Sequence, residues 1–413
     1  LLVDMKAPDT NTDNQTCSKP YSLLIKPIGS VCNLRCDYCY YLEKFRVVMD
    51  EHEHSQVMDR DLLEQMTRAY IESQPKGTRE VTFSWQGGEP TLLGTDFFEY
   101  ALSLQKTYAR PGMRVTNALQ TNGTRIDDTL ARCFKEYDVL VGISLDGPET
   151  LHNRYRKDAE GRGSFDAAMA GLENLMKHKV QFNTLTVVQD HNGSHPDEVY
   201  RFLKEAGSRY MQFIPIVEPE GKHVGSRSVK PDQWGSFLQR VFDLWLKEDI
   251  GTVFIQHFDL ILGRYMGSSA SLCVHAPECG RSLAIEHNGN VYSCDHFVDQ
   301  DHLLGNIREK SLAEMVESRF QQGFGRMKSK GLHESCRTCA FLKLCFGGCL
   351  RNRLPSQDHG MELNYLCRGY KHFYHHTAPY MQAMKRALDY RCSPREYARF
   401  LDRRLFDGCR RND

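Results

Sequence analysis

This chain has no excess of charge of either sign: lysine plus arginine equals aspartate plus glutamate, 53 each, and the formal net charge is zero. It has no block of lysine or arginine, which argues against nonspecific nucleic-acid binding as a main role. No run approaches the ~20 apolar residues of a membrane span. Residues 1–19 are polar and lack the basic and apolar regions of a signal peptide. Internal repeats and low-complexity tracts are also missing. These absences predict a cytoplasmic protein with neither membrane nor nucleic acid as partner. At 413 residues it is long enough for a large barrel plus an appendage.

Cysteine, by contrast, is plentiful, with fifteen in the chain. Without a signal peptide, and in C-x-x-C clusters, they point to metal rather than disulfides, and an odd count disfavours complete pairing. Three lie in the run Cys32-Asn-Leu-Arg-Cys36-Asp-Tyr-Cys39. Three thiolates on one short loop can hold three irons of a [4Fe–4S] cube and leave the fourth open to a substrate or cofactor. Clusters that only carry electrons mostly use four cysteines. The competing reading is zinc, but zinc favours paired C-x-x-C units and four closed ligands, and no fourth ligand is nearby in sequence.

Six apolar, β-branched runs recur at 22–26, 81–85, 115–120, 139–144, 180–188 and 211–217. The segments between them show helical spacing. Leu62, Leu63, Met66, Ala69 and Tyr70 share one face, as do Phe165, Met169, Leu172, Leu175 and Met176. Phe237, Leu238, Val241, Phe242 and Trp245 form another such face after the last strand. Strand–helix alternation predicts an α/β fold, a parallel sheet with helices outside. Six units suggest an open, partial (β/α)6 barrel with chemistry at the C-terminal ends of its strands. From about Leu272 the texture changes to short turns with dense cysteine and glycine, then closing helices at 370–390 and 394–406. The expected division is an N-terminal segment 1–20, a barrel 21–260, a cysteine-rich domain 261–380 and a helical tail 381–413, with the barrel boundary near 251–267.

In the cysteine-rich part, Cys273 and Cys279 precede Cys294. Cys336, Cys339, Cys345 and Cys349 follow with gaps of two, five and three, and Cys367 comes last. Eight thiols suffice for two four-ligand clusters. Two zinc sites would use the same residues, since thiolates select both zinc and iron–sulfur. The open-iron motif upstream shifts the balance to iron.

At this point the residues resemble a known family. Cys32, Cys36 and Cys39 followed by an aromatic are similar to the motif of radical S-adenosylmethionine enzymes, and the later array resembles the SPASM extension. Within that group the chain looks like an anaerobic sulfatase-maturating enzyme from about residue 21 to 380. Lys26-Pro27, residues 32–41, Phe83-Ser-Trp-Gln-Gly-Gly-Glu-Pro90, Gln120-Thr-Asn-Gly123, Ser144-Leu-Asp-Gly147, Tyr292-Ser-Cys-Asp295 and Leu363-Asn-Tyr-Leu-Cys367 carry the likeness. The resemblance implies S-adenosylmethionine and three [4Fe–4S] clusters, with Cys273/Cys279/Cys294/Cys349 and Cys336/Cys339/Cys345/Cys367 as the auxiliary sets. It also implies cofactor contacts at Tyr38, Gly88, Ser144, Arg156 and Val217, where family members often carry leucine at the last position.

By the same resemblance, Tyr41 and Gln86 face the substrate, an unfolded or nascent sulfatase polypeptide whose cysteine or serine becomes formylglycine. A low-potential donor such as flavodoxin or ferredoxin would supply electrons. Asp295 matches the family's general base. An isolated aspartate is ordinarily a solvated turn residue, but beside a cluster that accepts an electron it is well placed to take the matching proton. His296 adjoins it and reads more readily as structural than as a group that tunes it. The other histidines give little, and His52 and His54 sit in a charged loop. Cys17, Cys133, Cys392 and Cys409 have no matching partners, and Cys133 reads as core. Two other functions remain open: a SPASM enzyme acting on a different peptide, and a zinc-stabilised binding protein without catalysis.

Overall fold

The computed structural model describes residues 16–41, 57–220, 223–355 and 362–401. His52, His54, Cys409 and the end of the expected 394–406 helix lie outside them. Six parallel strands alternate with helices: β1 (Ser22–Lys26), β2 (Glu80–Trp85), β3 (Arg114–Thr121), β4 (Leu140–Ser144), β5 (Phe182–Val188) and β6 (Tyr210–Pro215). The crossovers include α1 (Arg60–Glu72), α2 (Gly94–Tyr108), α3 (Asp128–Glu136), α4 (Phe165–Lys177) and α5 (Pro196–Glu205), and α6 (Pro231–Glu248) follows β6.

Period-two alternation builds the sheet. Val81, Phe83 and Trp85 of β2 are buried with Leu23 and Ile25 of β1 among the helices, leaving the alternate residues for the concave side. The helices begin where the sequence supplies caps. Asp59 accepts a hydrogen bond from Leu62 N at 2.7 Å, and Asp127 from Leu130 N at 2.8 Å. Leu62, Leu63, Met66 and Tyr70 of α1 are buried, as are all five residues expected on the α6 face. One member of the expected α4 face departs. Met176 is 40% exposed, because the last turn of α4 lies at the margin of the core, where the Met176 sulfur borders Gly207.

The sheet does not stop at the expected domain boundary. Residues 254–255 form β7, parallel to β6, and lead into α7 (Gln256–Tyr265). On the opposite side β8 (Ser282–Glu286) pairs in parallel with β1, matching Ser22 to Ser282 and Lys26 to Glu286. β9 (Asn290–Tyr292) and β10 (Leu303–Asn306) continue antiparallel, giving one ten-stranded sheet. Next come α8 (Arg319–Lys330) and α9 (Cys367–Asp389), and α9 packs extensively on α6. The described part of the expected second closing helix is a 3₁₀ segment, Pro394–Phe400.

Candidate active site

The loop after β1 carries Cys32, Cys36 and Cys39, held by backbone bonds from Arg35 N to Lys157 O and Asp37 N to Tyr155 O. Cys32 Sγ accepts from Leu34 N at 3.3 Å and faces Asn122 Nδ2 at 3.8 Å. Burial pushes the Cys36 thiol up to about 12, and Cys39 and Cys32 add to the shift. A bound metal would displace that proton and stabilise the thiolate outright.

The Gly87-Gly88-Glu89 loop lies directly against the backbone before the cysteines. Gly88 N donates to Gly29 O and Glu89 N to Val31 O, at 2.7 and 2.8 Å. A Cβ on Gly88 would overlap the Val31 carbonyl. Glu89 is buried and accepts from Thr91 N, Thr91 Oγ1, Thr121 Oγ1 and Asn122 N. It thereby ties this loop to Asn122, which reaches Cys32. Gly88→Ala should weaken S-adenosylmethionine binding about tenfold or more, since ~1.4 kcal/mol of displacement suffices. Equilibrium binding to the anaerobically reconstituted variant would check this.

The other cofactor candidates sit at or beyond the C-terminal ends of the barrel strands. Ser144, the last residue of β4, accepts from Gln120 Nε2 at 3.0 Å, and Val217 is buried just past β6. Tyr38 and Arg156 are both buried on Asp146: the Tyr38 hydroxyl donates to its carboxylate, and Arg156 Nε lies 3.0 Å from it. Burial opposes the Arg156 charge, but Asp146, Tyr38 and Cys36 hold its pKa above the ordinary value. The guanidinium is thus oriented through Asp146.

On the β8 side a second constellation forms. Asp295 is one-fifth exposed. It accepts from the Tyr40 hydroxyl at 2.7 Å and pairs with Lys26 Nζ at 2.5 Å. Lys26 is fully buried, 3.8 Å above the Tyr41 ring, and the Tyr41 hydroxyl donates to Glu286. Burial first, then the facing carboxylate, keeps both phenols protonated well above their ordinary range. Gln86, at the end of β2, is half-buried, and its N–H donates to Ile25 O. His296 lies 3.5 Å from Cys349 Sγ through Nδ1 and meets the Tyr40 ring edge-on.

The remaining cysteines fall into two groups. Cys336, Cys339, Cys345 and Cys367 line one pocket walled by Phe341, Leu342, Tyr370 and Tyr374. Cys273, Cys279, Cys294 and Cys349 face one another, and after burial their mutual proximity contributes to raising the thiols of Cys279, Cys294 and Cys349. Among the described residues, no three of His, Cys, Asp and Glu close tightly enough for a single metal ion. Sulfurs around one zinc stand ~4 Å apart, at ~2.3 Å from the metal, and a four-iron cube holds its sulfurs wider. Cys336, Cys339, Cys345 and Cys367 around one pocket supply the four thiolates that such a cube takes. Cys17 and Cys133 are buried, and none of the described cysteines forms a disulfide.

The Radical SAM superfamily model matches residues 27–207, and the SPASM iron-sulfur cluster-binding domain model matches 273–340. The serine-type anaerobic sulfatase-maturating enzyme of Bacteroides thetaiotaomicron is 43% identical over 388 residues, covering 90% of this chain and 92% of that protein. The chain belongs to the anaerobic sulfatase-maturating enzyme family. Its cysteine-type relative from Clostridium perfringens is 36% identical over 368 residues, covering 87% and 97% of the two chains. A solved structure described as native anSMEcpe with bound AdoMet and Cp18Cys peptide superposes with a TM-score of 0.80 at 35% identity, covering 89% of this chain and 99% of that one. As a family member the chain is a radical S-adenosylmethionine oxidoreductase that uses [4Fe–4S] clusters.

The sequence alone assigned no individual role to Lys26, Tyr40, Asp146 or Glu286, and marked Glu89 only as part of the Gly-Gly-Glu loop that resembles the family's site for the methionine amino group. A lysine ending an apolar strand, in Ser22-Leu-Leu-Ile-Lys26, was the one local signal for the first of them.

Proposed function

We propose that this chain oxidises an active-site cysteine or serine of a sulfatase polypeptide to formylglycine, using three [4Fe–4S] clusters and S-adenosylmethionine. The observation that carries the reading is the Tyr40–Asp295 hydrogen bond. Tyr40 follows Cys39 and Asp295 follows Cys294, so the bond joins the radical-generating loop to an auxiliary-cluster loop across 255 residues.

Cys32, Cys36 and Cys39 would hold the front cluster, and the two four-cysteine groups the auxiliary clusters. When bound and reduced, S-adenosylmethionine supplies a 5′-deoxyadenosyl radical that removes a Cβ hydrogen atom from the target residue. Gly88 lets the backbone approach the cofactor, Ser144 and Val217 border it, and Asp146 fixes Arg156 near its carboxylate. Tyr41 and Gln86 lie on the substrate side. Lys26 and Tyr40 hold the Asp295 carboxylate in place, so that Asp295 accepts the thiol or hydroxyl proton. A cluster held by one of the two four-cysteine groups would take the matching electron. For a cysteine target the resulting thioaldehyde hydrolyses with water to the aldehyde and hydrogen sulfide. The reductant is a low-potential one-electron donor of the flavodoxin or ferredoxin kind. No helix among the described residues is long and apolar enough to cross a membrane.

The test is mass spectrometry of sulfatase peptides, with cysteine or serine at the target position, after anaerobic incubation with cofactor and reductant. Loss of 18 Da from the cysteine peptide, or of about 2 Da from the serine peptide, is the expected result, since ~10²–10⁴-fold of the rate rests on a placed base. Unchanged masses for both, with 5′-deoxyadenosine formed, would move the activity to another peptide class.

A further inference from the structure

Two cations are buried in the cysteine-rich part with no carboxylate facing either among the described residues. Lys328 of α8 is 1% exposed, and its ammonium donates to three carbonyls of one loop, those of Cys273, Val274 and Ala276. Arg353 is 6% exposed. Its guanidinium donates to Lys328 O at 2.9 Å, Phe346 O and Gly347 O at 3.1 Å, and Gly331 O at 3.2 Å. It therefore clamps the Cys345–Cys349 turn onto the end of α8. Neither side chain takes part in an ion pair among the described residues. A buried charge left unbalanced is strongly disfavoured, so something in the loaded protein must balance these two.

The acids that face them are thiols. Around Lys328 they are Cys273, Cys279 and Cys349; around Arg353 they come from both four-cysteine groups. A [4Fe–4S] cluster with four thiolates carries a formal double negative charge when oxidised and a triple one after gaining an electron. Net charge and hydrogen bonding at the cluster are among the factors that set its potential. The helix is shaped for this placement: Gly325, one turn before Lys328, has no room for a Cβ because the Cys279 carbonyl lies there.

We propose that Lys328 and Arg353 are the fixed counter-charges of the two auxiliary clusters, and that Lys328 makes the Cys273 cluster a better acceptor for the electron released by the substrate. This rests on the cluster assignment and not on which peptide is oxidised. The potential is measured without peptide, so it can fail while sulfatase maturation stands, and the reverse.

Lys328→Gln keeps a hydrogen-bond donor and removes the charge, while Lys328→Arg keeps both. Each holoenzyme would first be assayed for iron, then titrated reductively under electron paramagnetic resonance. The front cluster is recognised by its response to S-adenosylmethionine. With full iron, the glutamine variant should shift one auxiliary signal's reduction equilibrium at least tenfold toward the oxidised state, ~59 mV for one electron. The arginine variant should stay within that margin. A wild-type midpoint in the glutamine variant overturns the proposal. Should the glutamine variant fail to hold iron while the arginine variant loads fully, the charge is required and the proposal stands. Failure of both would reduce Lys328 to a shape-filling role and overturn it.

Discussion

Asp295→Asn should continue to form 5′-deoxyadenosine while formylglycine falls by ~10²–10⁴-fold, the range for losing a placed general base. The front cysteine loop, the Gly88 turn and the Asp146–Arg156 pair lie on other elements, so cofactor cleavage should survive. Quantifying both products in one anaerobic reaction with a cysteine-type peptide checks the uncoupling. A wild-type yield of formylglycine would make Asp295 a turn carboxylate beside a ligand. The substitution also removes the carboxylate 2.5 Å from Lys26, which is fully buried. Breaking a fully buried pair costs about 3–5 kcal/mol. With Asp295 one-fifth exposed, about 1–3 kcal/mol is expected on the same basis. Adding Lys26→Met should return much of that stability and none of the product, which separates the chemical role from the electrostatic one.

Replacing Cys32, Cys36 and Cys39 together by alanine should abolish cofactor cleavage. Three four-iron clusters amount to ~12 irons per chain, and the triple variant should keep ~8. The loop keeps the Arg35 and Asp37 backbone bonds to Lys157 and Tyr155 when its sulfurs are removed. The barrel should therefore fold, and the loss should be confined to one cluster. Iron analysis together with chromatographic detection of 5′-deoxyadenosine would decide it. Detectable cleavage by the triple variant would remove the role assigned to these three residues.

The barrel was legible because its determinants are local. Alternation in Val81, Phe83 and Trp85, and the i, i+4 spacing in α1 and α6, state which face is buried. The misplaced Met176 follows from the same logic, since periodicity finds a face but not where the core beneath it ends. The cysteine groups were legible in count; their division relied on resemblance, because Cys345 and Cys349 are close in sequence yet face different sets. Lys26 and Asp146 were legible only as members of family-like stretches, without a role, and Lys328 and Arg353 were not read at all. Each is a charge whose meaning comes from a partner or carbonyl far away in the chain, such as Lys26 and Asp295, and no periodicity marks it.

The pairing of β1 with β8 also has a consequence for biosynthesis. Lys26 and Glu286 are register partners separated by 260 residues. At about 5–20 residues per second, a ribosome needs roughly 13–50 s between them. For that interval β1, which leads into the front cysteine loop, has an open hydrogen-bonding edge, an invitation to mispairing. Completion of the sheet edge beside the front cysteine loop therefore waits on synthesis of the cysteine-rich half.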